Sequence, residues 1–212
     1  MAKTTKIVCI DTETTGLDVH KSRIVEISAV PLHPSFEIDT SIKPFSCLIN
    51  PGEAFLYNTQ ADEAFKINNI SRETIVQEGI TYEEAKNRFI GWLKSFADVC
   101  DPMGQNWMFD AGMLREMFGH SDYEKYFSRK VRDPKIVAQY INDAFQGTFE
   151  NTSLNRIADA LNIKWEGDAH RAYADAVVTA KVWAELNRRL RLSDWSLDDT
   201  KKELKDKQVL KG

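Results

Sequence analysis

Lys6-Ile7-Val8-Cys9-Ile10-Asp11-Thr12-Glu13-Thr14-Thr15-Gly16-Leu17 begins as an apolar run and ends in acid. The β-branched enrichment of Lys6–Thr12 predicts a buried first strand, and Thr14-Thr15-Gly16 predicts the turn after it. Neighbouring side chains on a strand alternate between faces, so Asp11 and Glu13, two apart, project side by side. Two carboxylates so placed repel unless a positive charge sits between them. Hard oxygen donors suit Mg²⁺ or Mn²⁺, which makes the pair a candidate half of a divalent-metal site. The competing reading is a pair of solvated acids at an exposed strand end. The apolar residues leading into Asp11 weigh against it.

Working outward, Arg23–Leu32 and Ser41–Asn50 read as second and third strands, the latter closed by Pro51-Gly52. Thr81 precedes two glutamates and a run with Phe89, Trp92, Leu93 and Phe96 at helical spacing, predicting a capped helix over Ala85–Phe96. Val99–Gln105 reads as a short strand, although Pro102 cannot donate to a central ladder. Phe109–Phe118 reads as a helix, Lys130–Arg132 as a fifth strand, and Pro134–Phe145 as a helix with proline in its first turn. Ser153–Leu161 and Arg171–Leu190 complete the helices. Strands first, then strand alternating with helix, predict an α/β fold: a mixed five-stranded sheet with helices on both faces. Residues 1–192 form one domain on this reading. Residues 193–212, with five acids and five lysines, form a charged helix or tail without assigned chemistry.

A length of 212 residues fits a single core. The longest apolar runs are only a few residues, far short of the roughly 20 that a membrane span requires. No signal peptide is expected, and the cytoplasm is the expected location. Cys9, Cys47 and Cys100 are scattered without metal-ligand spacing, which predicts reduced thiols. The net charge of −4 argues against tight, salt-sensitive duplex binding, which rests on a basic surface. Clustered metal-binding carboxylates would themselves contribute to that negative balance, and a short strand end can still bind.

Two further segments carry acids in positions that solvation alone does not explain. Asp110 ends Asn106-Trp107-Met108-Phe109-Asp110, at a strand-to-helix junction, where it can point over the carboxyl ends of the strands. A helix N-terminus would also favour a carboxylate there through its dipole. Asp175 falls on the apolar side of the last long helix, among Ala172, Ala176, Val178 and Trp183. Burying a carboxylate costs several kcal/mol unless it is paired or bound to metal, on the order expected for an uncompensated charge. His170 lies five residues before Asp175, ahead of the helix.

In order along the chain, these three segments resemble the three motifs of the DnaQ-like DEDDh exonuclease superfamily: D-x-E-T-T-G, N-x-x-F-D and H-x₄-D. The resemblance runs from about Lys6 to Leu190 and implies a ribonuclease H-like fold. Ile67-Asn68-Asn69-Ile70-Ser71 resembles the I-H-G-I-T stretch that lines the terminal-nucleotide pocket. Asn68 stands in place of the histidine and Asn69 in place of the glycine; asparagine tolerates the left-handed backbone the turn needs. Gln105 likewise stands where many members have histidine.

The resemblance implies hydrolysis of phosphodiester bonds at a 3′ end, releasing nucleoside monophosphates. Two divalent cations, Mg²⁺ or Mn²⁺, would be held by Asp11, Glu13, Asp110 and Asp175, with Asp11 bridging and Asp110 reaching through water. His170 is the expected general base. Thr14, Leu17, Asn68, Asn106 and Phe109 are the expected substrate-binding residues, with Leu17 wedging against the terminal base and Phe109 packing beneath it. Single-stranded DNA is the favoured substrate. Action on RNA ends, as in relatives of the ribonuclease T kind, is the alternative, and the 2′-hydroxyl discriminates the two. A non-catalytic binding module or polymerase-partner subunit is the third reading, and such members lose motif carboxylates that are all present here. A DNA polymerase partner and a homodimer remain open, and no membrane association is expected.

Overall fold

The computed structural model describes residues 3–145, 148–165 and 171–192. Strands β1 (Thr5–Thr14), β2 (Ile24–Leu32), β3 (Phe45–Leu48) and β4 (Val99–Met103) form one sheet in the order β3-β2-β1-β4. β2 runs antiparallel to both β1 and β3, whereas β4 lies parallel to β1. Between β3 and β4 come α1 (Glu53–Leu56), α2 (Thr59–Asn68), α3 (Arg72–Glu78) and α4 (Tyr82–Lys94). After β4 follow α5 (Trp107–Phe118), α6 (His120–Tyr126), α7 (Pro134–Phe145), α8 (Leu154–Ala160) and α9 (Ala172–Leu192).

The alternation of β1 sets the two layers. Val8 and Ile10, with Ile27 and Ala29 of β2, pack on Phe89 and Leu93 of α4 and on Ala111 and Leu114 of α5. Cys9, Val30 and Leu32 face the other way, onto Ala176, Val177 and Ala180 of α9. The far side of α9 then buries Val178, Val182 and Leu186 against α7 and α8. With helices on both faces, all nine residues of β2 are buried. No helix among the described residues is long and apolar enough to cross a membrane.

The sheet has four strands, not five. Arg132 makes only an isolated parallel bridge to Met103, through bonds between Gly104 N and Arg132 O and between Arg132 N and Pro102 O, both 3.0 Å. The chain then leaves the sheet, because Asp133 is taken up by the start of α5. Pro102 fits in β4 because its carbonyl points outward to Arg132. Its nitrogen faces the same outward side, so no bond to β1 is lost. The third strand is trimmed to four residues, and α4 starts at Tyr82, where Thr81 accepts from Glu84 N at 3.2 Å.

The segment from Gly52 to Gly79, unassigned to secondary structure from sequence, folds into three short helices, of which α2 is capped by Asn58 and α3 by Ser71. Asn69 terminates α2 with φ 54°, the left-handed conformation expected of it. Helix α6 was unassigned as well.

Candidate active site

β1 outruns its parallel neighbour: β4 pairs as far as Cys9, leaving Asp11 and Glu13 beyond its carboxyl end. Both acids share the face of Cys9, the face crossed by α9. Asp175 lies in the first turn of that helix. Carboxylate oxygens of Asp11, Glu13 and Asp175 lie within 4.8 Å of one another, and each residue is half-buried. Residues far apart in the chain thus meet at one strand end.

Asp110 reaches the same strand end from the opposite layer. Its helix opens with Asn106 at φ 60°, a left-handed residue whose own side chain caps nothing. Asp133 holds that opening instead, accepting from the backbone nitrogens of Asn106 (3.0 Å), Trp107 (2.9 Å) and Lys135 (2.9 Å). Asp110, 3% exposed, accepts the Thr12 hydroxyl at 2.7 Å. It therefore adjoins the three clustered acids with its Oδ1 already engaged.

Electrostatics set these groups apart from ordinary carboxylates. Burial pushes the Asp11 proton well above the usual range, and the charges of Asp110, Asp175, Glu13 and Glu26 push it further. Burial, with Asp175, Glu26 and Asp110, drives Glu13 up to about 9 against the pull of Arg171. Asp110 rises to about 7 by burial, restrained by the bond from Thr12. Half-buried acids crowded by one another are a donor set that a divalent cation satisfies. The three clustered carboxylates offer the oxygen donors for one.

Arg171 and Glu26 were not singled out from sequence. Glu26 lies opposite Glu13 in the β1–β2 register and is 4% exposed. It accepts Arg171 Nε at 3.1 Å, Arg171 Nη2 at 2.8 Å and Ala172 N at 3.0 Å. Thr12 and Asp133 were also missed. An aspartate directly before a helix-opening proline is a cap signal, which could have flagged Asp133.

The expected substrate contacts divide into inward and outward groups. Thr14 is buried, its hydroxyl donating to Gly16 O at 2.8 Å and so tying the turn. Gly16 has φ 155°, and a Cβ there would meet Ser22 Oγ at 2.8 Å, so only glycine fits. Next to it, Leu17 is 85% exposed and Met108, beside Phe109, is 75% exposed. Phe109 packs partly into the core. Asn106 Oδ1 accepts Lys135 Nζ at 3.1 Å. Asn68 is buried, with Oδ1 accepting from Ile70 N at 3.2 Å and Nδ2 without a partner among the described residues. Gln105 reaches across to Thr152 O at 2.9 Å. His170 lies outside the described residues.

A sequence model of the RNase T family, described as Exonuclease, matches residues 8–183. The chain is 26% identical over 199 residues to Exonuclease DPD1, chloroplastic/mitochondrial, of Arabidopsis thaliana, covering 91% of this chain and 60% of that protein. It is 26% identical over 185 residues to DNA polymerase III subunit epsilon of Aquifex aeolicus (strain VF5), covering 86% of this chain and 81% of that one. Among solved structures, Escherichia coli exonuclease I in complex with a dT13 oligonucleotide superposes with a TM-score of 0.71 at 18% identity, over 90% of this chain and 43% of that one. The chain thus spans less than two thirds of the plant relative and of exonuclease I.

Proposed function

From the premise that this chain belongs to the RNase T exonuclease family, we propose that it is a metal-dependent 3′→5′ exonuclease of single-stranded DNA. The observation that carries this reading is the meeting of half-buried Asp11, Glu13 and Asp175 within 4.8 Å, where burial and neighbouring acids raise Asp11 and Glu13. These three would hold divalent cations, Mg²⁺ or Mn²⁺, with Asp110 supporting Asp11 from the other layer. Bound there, such ions supply positive charge to the attacking and leaving oxygens of a displacement at phosphorus.

The remaining roles fall to this chain's own groups. His170 is assigned the general base on its motif, taking the proton of the attacking water at an imidazole nitrogen. Leu17 and Met108, exposed large apolar side chains on the segments that carry Asp11 and Asp110, offer a surface for unstacked bases. Contacts of this kind tolerate any base, so little sequence preference is expected. DNA is favoured because the Aquifex relative is named as a DNA polymerase subunit and the exonuclease I structure holds dT13.

Degradation of 3′- and 5′-labelled oligonucleotides, with Mg²⁺ and with chelator, tests this. Loss of a 3′ label as mononucleotide, only with metal, is the expected result. Full activity in chelator, or cutting of circular single strands, overturns it. Matched RNA in the same assay separates DNA from RNA preference, and a 3′-phosphate is expected to block the enzyme.

A further inference from the structure

Beyond the four motif acids, a fifth buried carboxylate stands beside the site. Glu26 lies directly across from Glu13, and side chains facing one another across an antiparallel pair share a face. It nevertheless stays outside the cluster of clustered oxygens formed by Asp11, Glu13 and Asp175. Its oxygens are taken: the Arg171 guanidinium grips both, and Ala172 N donates to Oε2. Ala172 is the first residue of α9, so a strand residue satisfies one of the orphan donors at that helix end. Arg171 O in turn accepts Asp175 N at 3.1 Å, the first turn of the helix. A continuous line of bonds therefore runs from β2, through Arg171, to the backbone of Asp175.

A helix lying on a sheet can slide or rotate about its axis while keeping apolar contact. Ala176, Val177 and Ala180, by which α9 meets the sheet, make apolar contact, which is non-directional. A two-bond fork between a guanidinium and a carboxylate fixes orientation as well as distance. We infer that Glu26 is a positioning residue: acting through Arg171 and Ala172, it sets the rotation and depth of α9 so that Asp175 joins Asp11 and Glu13 in one cation site. Arg171 meanwhile occupies Glu26, which keeps this fifth acid from drawing the cation away from the other three.

The inference rests on the metal-dependent reading above, and the test separates the two. Mn²⁺ alone, without nucleic acid, is titrated by calorimetry into the wild type, Glu26→Gln and Arg171→Gln, and melting of each is followed in chelator. Partners of this kind behind a metal ligand change affinity by about 10–100-fold. Both variants are expected to bind Mn²⁺ that much more weakly at a temperature where they remain folded. The double variant is expected to be no weaker than the weaker single one, because the two residues act along one line. Wild-type Mn²⁺ affinity in folded Glu26→Gln or Arg171→Gln, with only a lower melting temperature, overturns the inference and leaves the metal reading standing. No Mn²⁺ binding by the wild type overturns the metal reading itself. Should Glu26→Gln fail to fold, Arg171→Gln decides, since that side chain is 40% exposed.

Discussion

At the start of β1 the Lys6 ammonium meets Asp39 at 2.5 Å, while at its far end Asp11 and Glu13 meet Asp175. Asp39, at 4% exposure, is more hidden than half-buried Asp11 and Glu13. Yet it also accepts Ser41 Oγ at 2.5 Å and Ser41 N at 3.0 Å, and His33 Nε2 lies 3.5 Å away. Those donors hold its carboxyl well below the usual range. Burial raises Asp11 and Glu13 instead, and neighbouring acids raise them further. One strand thus carries an acid compensated by nearby donors and, at its far end, a pair raised by burial and by neighbouring acids, which on the reading proposed above a cation would compensate. On the proposed reading, the contrast separates a structural carboxylate from one kept for a cation.

Breaking the uncompensated end should give the largest effect. Asp11→Asn removes the charge shared by the cluster. Both Mn²⁺ binding and turnover are expected to collapse, the rate by more than the roughly 10²–10⁴-fold that loss of a positioned base costs. Asp39→Asn is the control: lower thermal stability, with Mn²⁺ affinity and turnover at the wild-type level. Calorimetric titration and single-turnover rates on the two variants decide it. Equal Mn²⁺ affinity in Asp11→Asn and the wild type would remove the distinction between the two ends.

His170→Ala comes next. If His170 is the proton acceptor proposed above, its removal should lower turnover by about 10²–10⁴-fold and leave Mn²⁺ affinity near the wild type. Binding as weak as that of Asp11→Asn would make His170 a ligand. Full activity would make it structural.

The parts of this contrast that could be read from the chain are those written locally. Asp11 and Glu13 follow from strand alternation after an apolar run, and Pro134 marks the start of α7. Asp175 stands out as a charge on an apolar helical stripe. Glu26 gives no such signal: one glutamate in a β-rich stretch reads as the solvent side of a strand. Only the covering of both faces of β2 buries it, and its partner Arg171 is 145 residues away. Thr12 and Asp110, 98 residues apart, are joined in the same non-local way. The three helices from Glu53 to Glu78 were illegible for a different reason. They are short, and they bury only a small patch around Val25, Leu56, Ile70 and Ile75, too little for a clear periodicity. A two-bond bridge at Arg132 reads like a strand until the rest of the ladder is sought.

Asp110 lies between the two extremes, since burial raises it only to about 7 against the Thr12 hydroxyl and the backbone donors of Asp110 and Thr12. Thr12→Val keeps the shape and removes the hydroxyl. Asp110 is then expected to hold its proton to a higher pH, read from carboxyl-carbon chemical shifts in a metal-free titration. Losing one bond to this buried carboxylate should also lower stability, by about 1.5–3 kcal/mol where it is ionised. An unchanged titration would show that the Thr12 bond does not restrain Asp110.

The smallest effect, a change in the slope of stability against pH, tests both ends of β1 at once. Asp39 is held low in the folded chain, so the stability it contributes is present above its unfolded pKa of about 4 and is lost as the pH falls below that. Glu13 behaves oppositely. Unfolded, it gives up its proton near pH 4, about the ordinary value, whereas folded it keeps it to about 9. Between those values the folded chain binds more protons than the unfolded one, so stability falls as the pH rises. In chelator, the melting temperature should therefore drop on both sides of a maximum. Asp39→Asn should flatten the acid limb alone, and Glu13→Gln the alkaline limb alone. Saturating Mg²⁺ should lift the alkaline limb, because the cation binds the deprotonated site of the folded chain and not the unfolded one. An alkaline limb that neither Glu13→Gln nor Mg²⁺ alters would mean that the acids at the far end of β1 are compensated from within the chain, as Asp39 is.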